Sequence, residues 1–188
     1  SIDNVTWVDV SAPTTTANTV AAPDGVTTAD RVEDDAAGAV EAESQAVTVA
    51  NDSTSWTATV WAQCTSAHAA DLVAALTGGT GVTTTTSFTC STTTWTRYVA
   101  SVTNNTTGNT TLTVTLRPTD NTAGSTGSVD WWRPELYNRA GEVQLDPAVV
   151  AASVTVNADD LTYASVSVGD TGTICGWYFV SAGVSVYD

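Results

Sequence analysis

The sequence predicts an all-β sandwich on three observations. Leu112, Val114 and Leu116 alternate with Thr111, Thr113 and Thr115, the period-two pattern of a strand with one face in a core and the other in water. Threonine makes up about a fifth of the chain, and branching at Cβ suits a pleated surface. Good helix formers are scarce, because lysine and methionine are absent and leucine is rare. At 188 residues the chain has room for one domain with an appended module.

Taken in order, Val5–Val10 reads as a first strand and Ser11–Asn18 as a loop. Pro23-Asp24-Gly25 is a turn, since proline presets φ and glycine accepts positive φ. Ala29–Glu33, Val40–Val49 and Ser55–Trp61 follow as strands. In the last, Trp56, Ala58 and Val60 share one face and Thr57, Thr59 and Trp61 the other. Ser66–Leu76, rich in alanine, fits either a short helix or a strand with a loop. After the Gly78–Gly81 turn come the Thr83–Thr86 run, Phe88-Thr-Cys90, Trp95–Tyr98, the Thr111–Leu116 strand and Val129–Tyr137. Short strands at regular spacing suit a sandwich or barrel. Past residue 140 the character changes, and residues 141–188 are expected to form a small β-rich assembly module beside a main domain of residues 1–140.

Charge narrows the partners. Five arginines stand against twenty carboxylates, a net charge of −15, so nucleic acid and anionic membranes are poor partners. No apolar run approaches the roughly 20 residues that span a bilayer, and no signal peptide is visible. Cys64, Cys90 and Cys175 match no zinc or redox spacing. They read as three buried free thiols, with a bridge between the strand neighbours Cys64 and Cys90 as the alternative.

Catalytic chemistry finds little support. His68, the single histidine, lies in no nucleophile elbow and reads as a surface or loop residue. Glu41 and Glu43 point to one side of a strand and could bind a cation or act as a glycosidase pair, but a solvated strand face is the simpler reading. Glu33-Asp34-Asp35 offers hard oxygen ligands to Ca²⁺ without an EF-hand register, and reads as an acidic turn. No cofactor is expected. The seven tryptophans carry the strongest binding signal. The adjacent Trp131 and Trp132 must face opposite sides of their sheet, one in the core and one outward.

Ala22-Pro-Asp-Gly25 with Thr28-Ala-Asp-Arg-Val-Glu33, Ser55–Trp61, Trp95-Thr-Arg-Tyr98 and Val129-Asp-Trp-Trp-Arg-Pro-Glu-Leu136 occur in a familiar order. Over about residues 3–138 this resembles the carbohydrate-binding-module-like jelly roll of phage virion proteins, tail fibres and head decoration proteins among them. Tyr137 stands where that family usually has Glu. The resemblance implies a jelly-roll β-sandwich with Trp132 as the packing tryptophan, leaving Trp61, Trp131 and Trp177 as candidate partner- or glycan-facing aromatics. It also implies a non-enzymatic capsid decoration (cement) protein on the virion surface, bound to the major capsid protein or another virion protein and to copies of itself, with a trimer as the first guess. The alternative is a carbohydrate- or receptor-binding module of a tail fibre or secreted protein, with glycan as the partner.

Overall fold

The computed structural model describes Ile2 and residues 6–138. Among the described residues there are ten strands and no helix: β1 (Val8–Val10), β2 (Thr14–Ala21), β3 (Thr27–Asp34), β4 (Ala42–Thr48), β5 (Ser55–Cys64), β6 (Ala69–Thr77), β7 (Val82–Thr89), β8 (Thr96–Thr103), β9 (Thr111–Arg117) and β10 (Gly127–Tyr137). They form two five-stranded antiparallel sheets, ordered β1-β4-β9-β6-β7 and β2-β3-β10-β5-β8. From β3 onward the chain passes between the sheets at every step except the β6–β7 hairpin. The result is a jelly-roll β-sandwich.

Register fixes the inner faces. Leu116 stands between Glu43 and Leu72, and Leu112 between Val47 and Leu76. Leu72, Leu76, Leu112 and Leu116 are fully buried, as the alternation in β9 predicts. The opposite sheet contributes Val32, Val60, Val129 and Trp131, also fully buried. Each large aliphatic side chain removed from water in this way contributes about 1.5–3 kcal/mol. The Pro23-Asp24-Gly25 turn forms as expected: Gly25 N–H donates to the Ala22 carbonyl at 2.9 Å with φ +81°.

Four expectations change. Most of the expected loop at 11–18 is edge strand β2, which lacks an apolar alternation because its outward positions Thr14, Thr16 and Asn18 are exposed. Ser66–Leu76 resolves to a strand, β6, whose Ala70, Leu72, Ala74 and Leu76 are buried at period two. Glu41 and Glu43 are not on a solvated face; each is 2% exposed. Glu41 Oε2 accepts from the Asp35 and Ala36 N–H groups at 2.8 and 3.3 Å. Finally, Cys64 and Cys90 are not free thiols but a disulfide, with Cα atoms 5.7 Å apart. It joins the end of β5 in one sheet to the residue after β7 in the other. Cys175, Trp177 and the expected module at 141–188 lie outside the described residues.

Candidate functional site

Which tryptophans reach the surface is decided by register in β10. Val129 pairs with Cys64, Trp131 with Ala62 and Trp132 with Trp61. Val129 and Trp131 therefore face the core, where the Phe88 ring meets Trp131 edge-on at 6.1 Å. This reverses the expected roles of the pair. Trp131 is fully buried against the core and offers no face to a partner, whereas Trp132 points to the outer side of the sheet, where it is itself buried, 8% exposed, against Trp61, Trp95 and Arg133. The inward alternation of Val129 and Trp131 was the available signal, and the family resemblance overrode it.

Trp61, as expected, faces outward. It lies 6.4 Å from Trp132 between ring centres, tilted by 55°. Trp95, from the connection between β7 and β8, joins them, and its indole N–H donates to the Ala21 carbonyl at 3.2 Å. Val20, Ala22 and Ala29 complete this second apolar cluster, separate from the core. Trp61 and Trp95 remain partly exposed.

A β-bulge extends the site with charge. Trp132 pairs with Trp61, but the next pair is Glu135 with Thr59, so β10 takes three steps against two on β5. The extra residue is accommodated by Arg133 at φ +52° and by Pro134, which has no N–H to lose from the ladder. The bulge places Glu135 on the same outward face as Trp132. Without it Pro134 would stand there.

Glu135 is the hub of that half. Arg97 Nη2 donates to its Oε2 at 3.0 Å and to Thr59 Oγ1 at 3.0 Å. Arg133 Nε donates to its Oε1 at 2.8 Å, and the Tyr137 hydroxyl to its Oε2 at 2.5 Å. Burial, with the adjoining Glu135 carboxylate, pushes the Tyr137 phenol above its ordinary range. The Arg133 guanidinium also lies over the Trp132 ring, 5.8 Å from its centre. Further along the face Arg31 grips Asp130 through two hydrogen bonds of 2.9 and 3.0 Å, and this carboxylate raises the Arg31 pKa further. Arginines 31, 97 and 133 thus share one face of a chain whose net charge is −15.

The other sequence candidates lie elsewhere. His68 braces two loops, its ring nitrogens 2.6 Å from the Ser66 carbonyl and 2.8 Å from that of Pro118. The expected acidic turn is instead the end of strand β3 for Glu33 and Asp34, where Asp34 is buried and accepts from Thr119 Oγ1 at 2.5 Å. No three His, Cys, Asp or Glu side chains among the described residues are grouped to hold a metal ion. Arg97, Glu135 and Arg133 were missed as site residues, because the bulge that assembles them has no one-dimensional signature beyond Pro134.

No protein-family model matches the chain, and no curated protein matches it. Solved structures share its fold. The CBM22-1 xylan-binding domain of Xyn10C from Paenibacillus barcinonensis superposes with a TM-score of 0.52 at 13% identity, over 74% of this chain and 92% of that one. The CBM22-1–GH10 modules of Clostridium thermocellum xylanase 10B, solved with xylohexaose, give 0.53 at 14% identity, over 75% of this chain and 27% of that one. The fold is that of carbohydrate-binding-module jelly rolls.

Proposed function

We propose that the described domain is a non-catalytic carbohydrate-binding module that takes a glycan on the outward face of the β2-β3-β10-β5-β8 sheet. The observation that carries this reading is the partly exposed Trp61, backed by the buried Trp132, beside the Arg97–Glu135–Tyr137 network. Aromatic rings present flat apolar surface to the C–H face of a sugar, and neighbouring polar groups orient its hydroxyls. The fold of the xylan-binding domain supports the same reading. Capsid decoration, the leading expectation from the sequence, has no comparable support and gives way to its alternative. The Cys64–Cys90 bridge suits an oxidising, extracytoplasmic setting. Glu135 has both oxygens engaged by arginines and a phenol, an arrangement that serves to orient rather than to transfer a proton.

The test is affinity electrophoresis through gels holding xylan, β-glucan, galactan or mannan. The wild type should be retarded by at least one. Trp61→Ala should weaken that retention about tenfold or more, the loss of a contact worth over 1 kcal/mol, while circular dichroism shows the sandwich intact. Free migration of the wild type through every gel would remove the reading.

A further inference from the structure

An edge strand carries a row of backbone N–H and C=O groups open to pairing with another chain, and stable folds blunt such edges. The two sheets end in β1, β7, β2 and β8, and three of these edges are blunted. β1 has only three residues and carries Asp9. β2 loses register with β3 twice and turns through Asn18 at φ +53°. β8 carries Arg97, and its Val99 carbonyl is taken by Thr86 Oγ1 at 2.7 Å. β7 has none of these devices. Val82–Thr89 holds no charge and no proline, and it keeps unbroken register with β6. Among the described residues nothing bonds to the backbone of its outer edge.

We propose that β7 pairs antiparallel with β7 of a second copy about a two-fold axis, joining two five-stranded sheets into one continuous sheet. Two features select a second copy as the occupant. The first is self-complementarity. Thr83, Thr85 and Ser87 are exposed on the outward side, while Val82, Thr84, Thr86 and Phe88 are half-buried on the inward side. An axis through Thr85 sets Thr85 against its own counterpart, Thr83 against Ser87 and Val82 against Phe88. Hydroxyl thus meets hydroxyl and apolar meets apolar, pairings that stabilise adjacent strands. The molecule already joins β5 to β8 in this way, Ser55 to Thr103 at 2.7 Å and Thr57 to Ser101 at 2.9 Å.

Charge is the second feature. A partner drawn by a chain of net charge −15 would be basic, yet β7 offers it no carboxylate. The carboxylate of Asp71, opposite Ser87, is held by Arg117 at 3.5 Å. A neutral strand is what two copies of so acidic a chain need at the point where they meet. An axis normal to the sheet also leaves both β2-β3-β10-β5-β8 sheets on one side of the joined sheet. The pairing itself is independent of the glycan reading; where that reading holds, the dimer presents two Trp61 faces to one polysaccharide and gains by avidity.

The experiment is sedimentation velocity of the full chain from about 1 to 100 µM, the range of a modest self-association. The wild type should pass from monomer toward dimer across it. Thr83→Glu combined with Thr85→Glu crowds carboxylates from both copies around the axis. Both positions are exposed, so circular dichroism should be unchanged while the dimer dissociation constant rises about tenfold or more. Opposed residues in an antiparallel pair have Cα atoms about 4.5–5.5 Å apart, within disulfide reach. Thr85→Cys should therefore link to its own counterpart on mild oxidation, with the joined peptides identified by mass spectrometry. Thr113→Cys, on the same side of the sheet but on β9, two strands in from this edge, should not. A wild type that stays monomeric throughout the range overturns the proposal, whether the edge is covered by the chain's own remaining residues or by nothing. So does a dimer that the paired glutamates leave unweakened, or one in which Thr85→Cys links to itself no more than Thr113→Cys does.

Discussion

Glu43 faces the core beside Leu116, where Thr15 Oγ1 of the opposite sheet donates to its Oε1 at 2.7 Å and its Oε2 is buried without a hydrogen-bond donor. Burial raises its pKa, and the carboxylate of Asp9, its cross-strand partner, raises it further against the opposing effect of Thr15. The folded state therefore holds a proton at pH values where the unfolded chain has released it. Stability contributed by this group is present below the ordinary glutamate range and declines as pH rises through the folded pKa. Glu43→Gln removes the titration and offers Asp9 an N–H donor. The variant should match or exceed the wild type at pH 7, by about 1 kcal/mol, and that advantage should shrink toward pH 4 in urea denaturation. A variant less stable than the wild type at pH 7 would show that the ionised carboxylate is needed. Nothing in Glu41-Ala-Glu43-Ser-Gln45 marks which alternate face is inward, because the core residue on that face, Val47, comes only at its end. For Trp131 and Trp132 the alternation of Val129 with Trp131 was the one sequence signal, and pairing with β5 confirms it.

Elements were legible where alternation was strong and flanked by turn residues. β5, β9, β10 and the turn between β2 and β3 fall close to where their residues placed them. β2 was hidden because an edge strand exposed on one side needs no apolar period. β6 was hidden because alanine serves helix and packed strand alike. The strand most fully specified by its own sequence is β9, between β4 and β6. Its Leu116 is fully buried, so Leu116→Ala leaves a cavity that both sheets are too well packed to close. Chemical denaturation should show a loss of about 2–5 kcal/mol, whereas Thr115→Ala on the outward side should change stability by less than about 0.5 kcal/mol. Equal effects at the two positions would contradict the assigned faces.

Across the described residues, the two sheets are held face to face by side-chain packing, by hydrogen bonds such as Thr15 to Glu43 and Thr86 Oγ1 to the Val99 carbonyl, and by one covalent link. That link was left open by the sequence because its cysteines are 26 residues apart and belong to different sheets, a proximity only the topology creates. The backbone reinforces it on either side: Cys64 N–H donates to the Ser91 carbonyl and Cys90 N–H to that of His68, both at 2.9 Å. Closing a loop of this length in the unfolded chain stabilises the fold by about 3–4 kcal/mol. The core extends well beyond the bridge, since Cys64 and Cys90 are two members of a cluster that also holds Leu72, Leu76, Leu112, Leu116 and Trp131. The double variant Cys64→Ala, Cys90→Ala should therefore fold, retain the Trp61–Trp132 face, and unfold in urea with a stability about 2–4 kcal/mol below the wild type. Dithiothreitol should lower the wild type by a comparable amount while leaving the double variant nearly unmoved, as thiol titration registers two newly freed cysteines. Release of those two thiols without a change in the urea midpoint would mean that the bridge stabilises the sandwich no more than two buried thiols would.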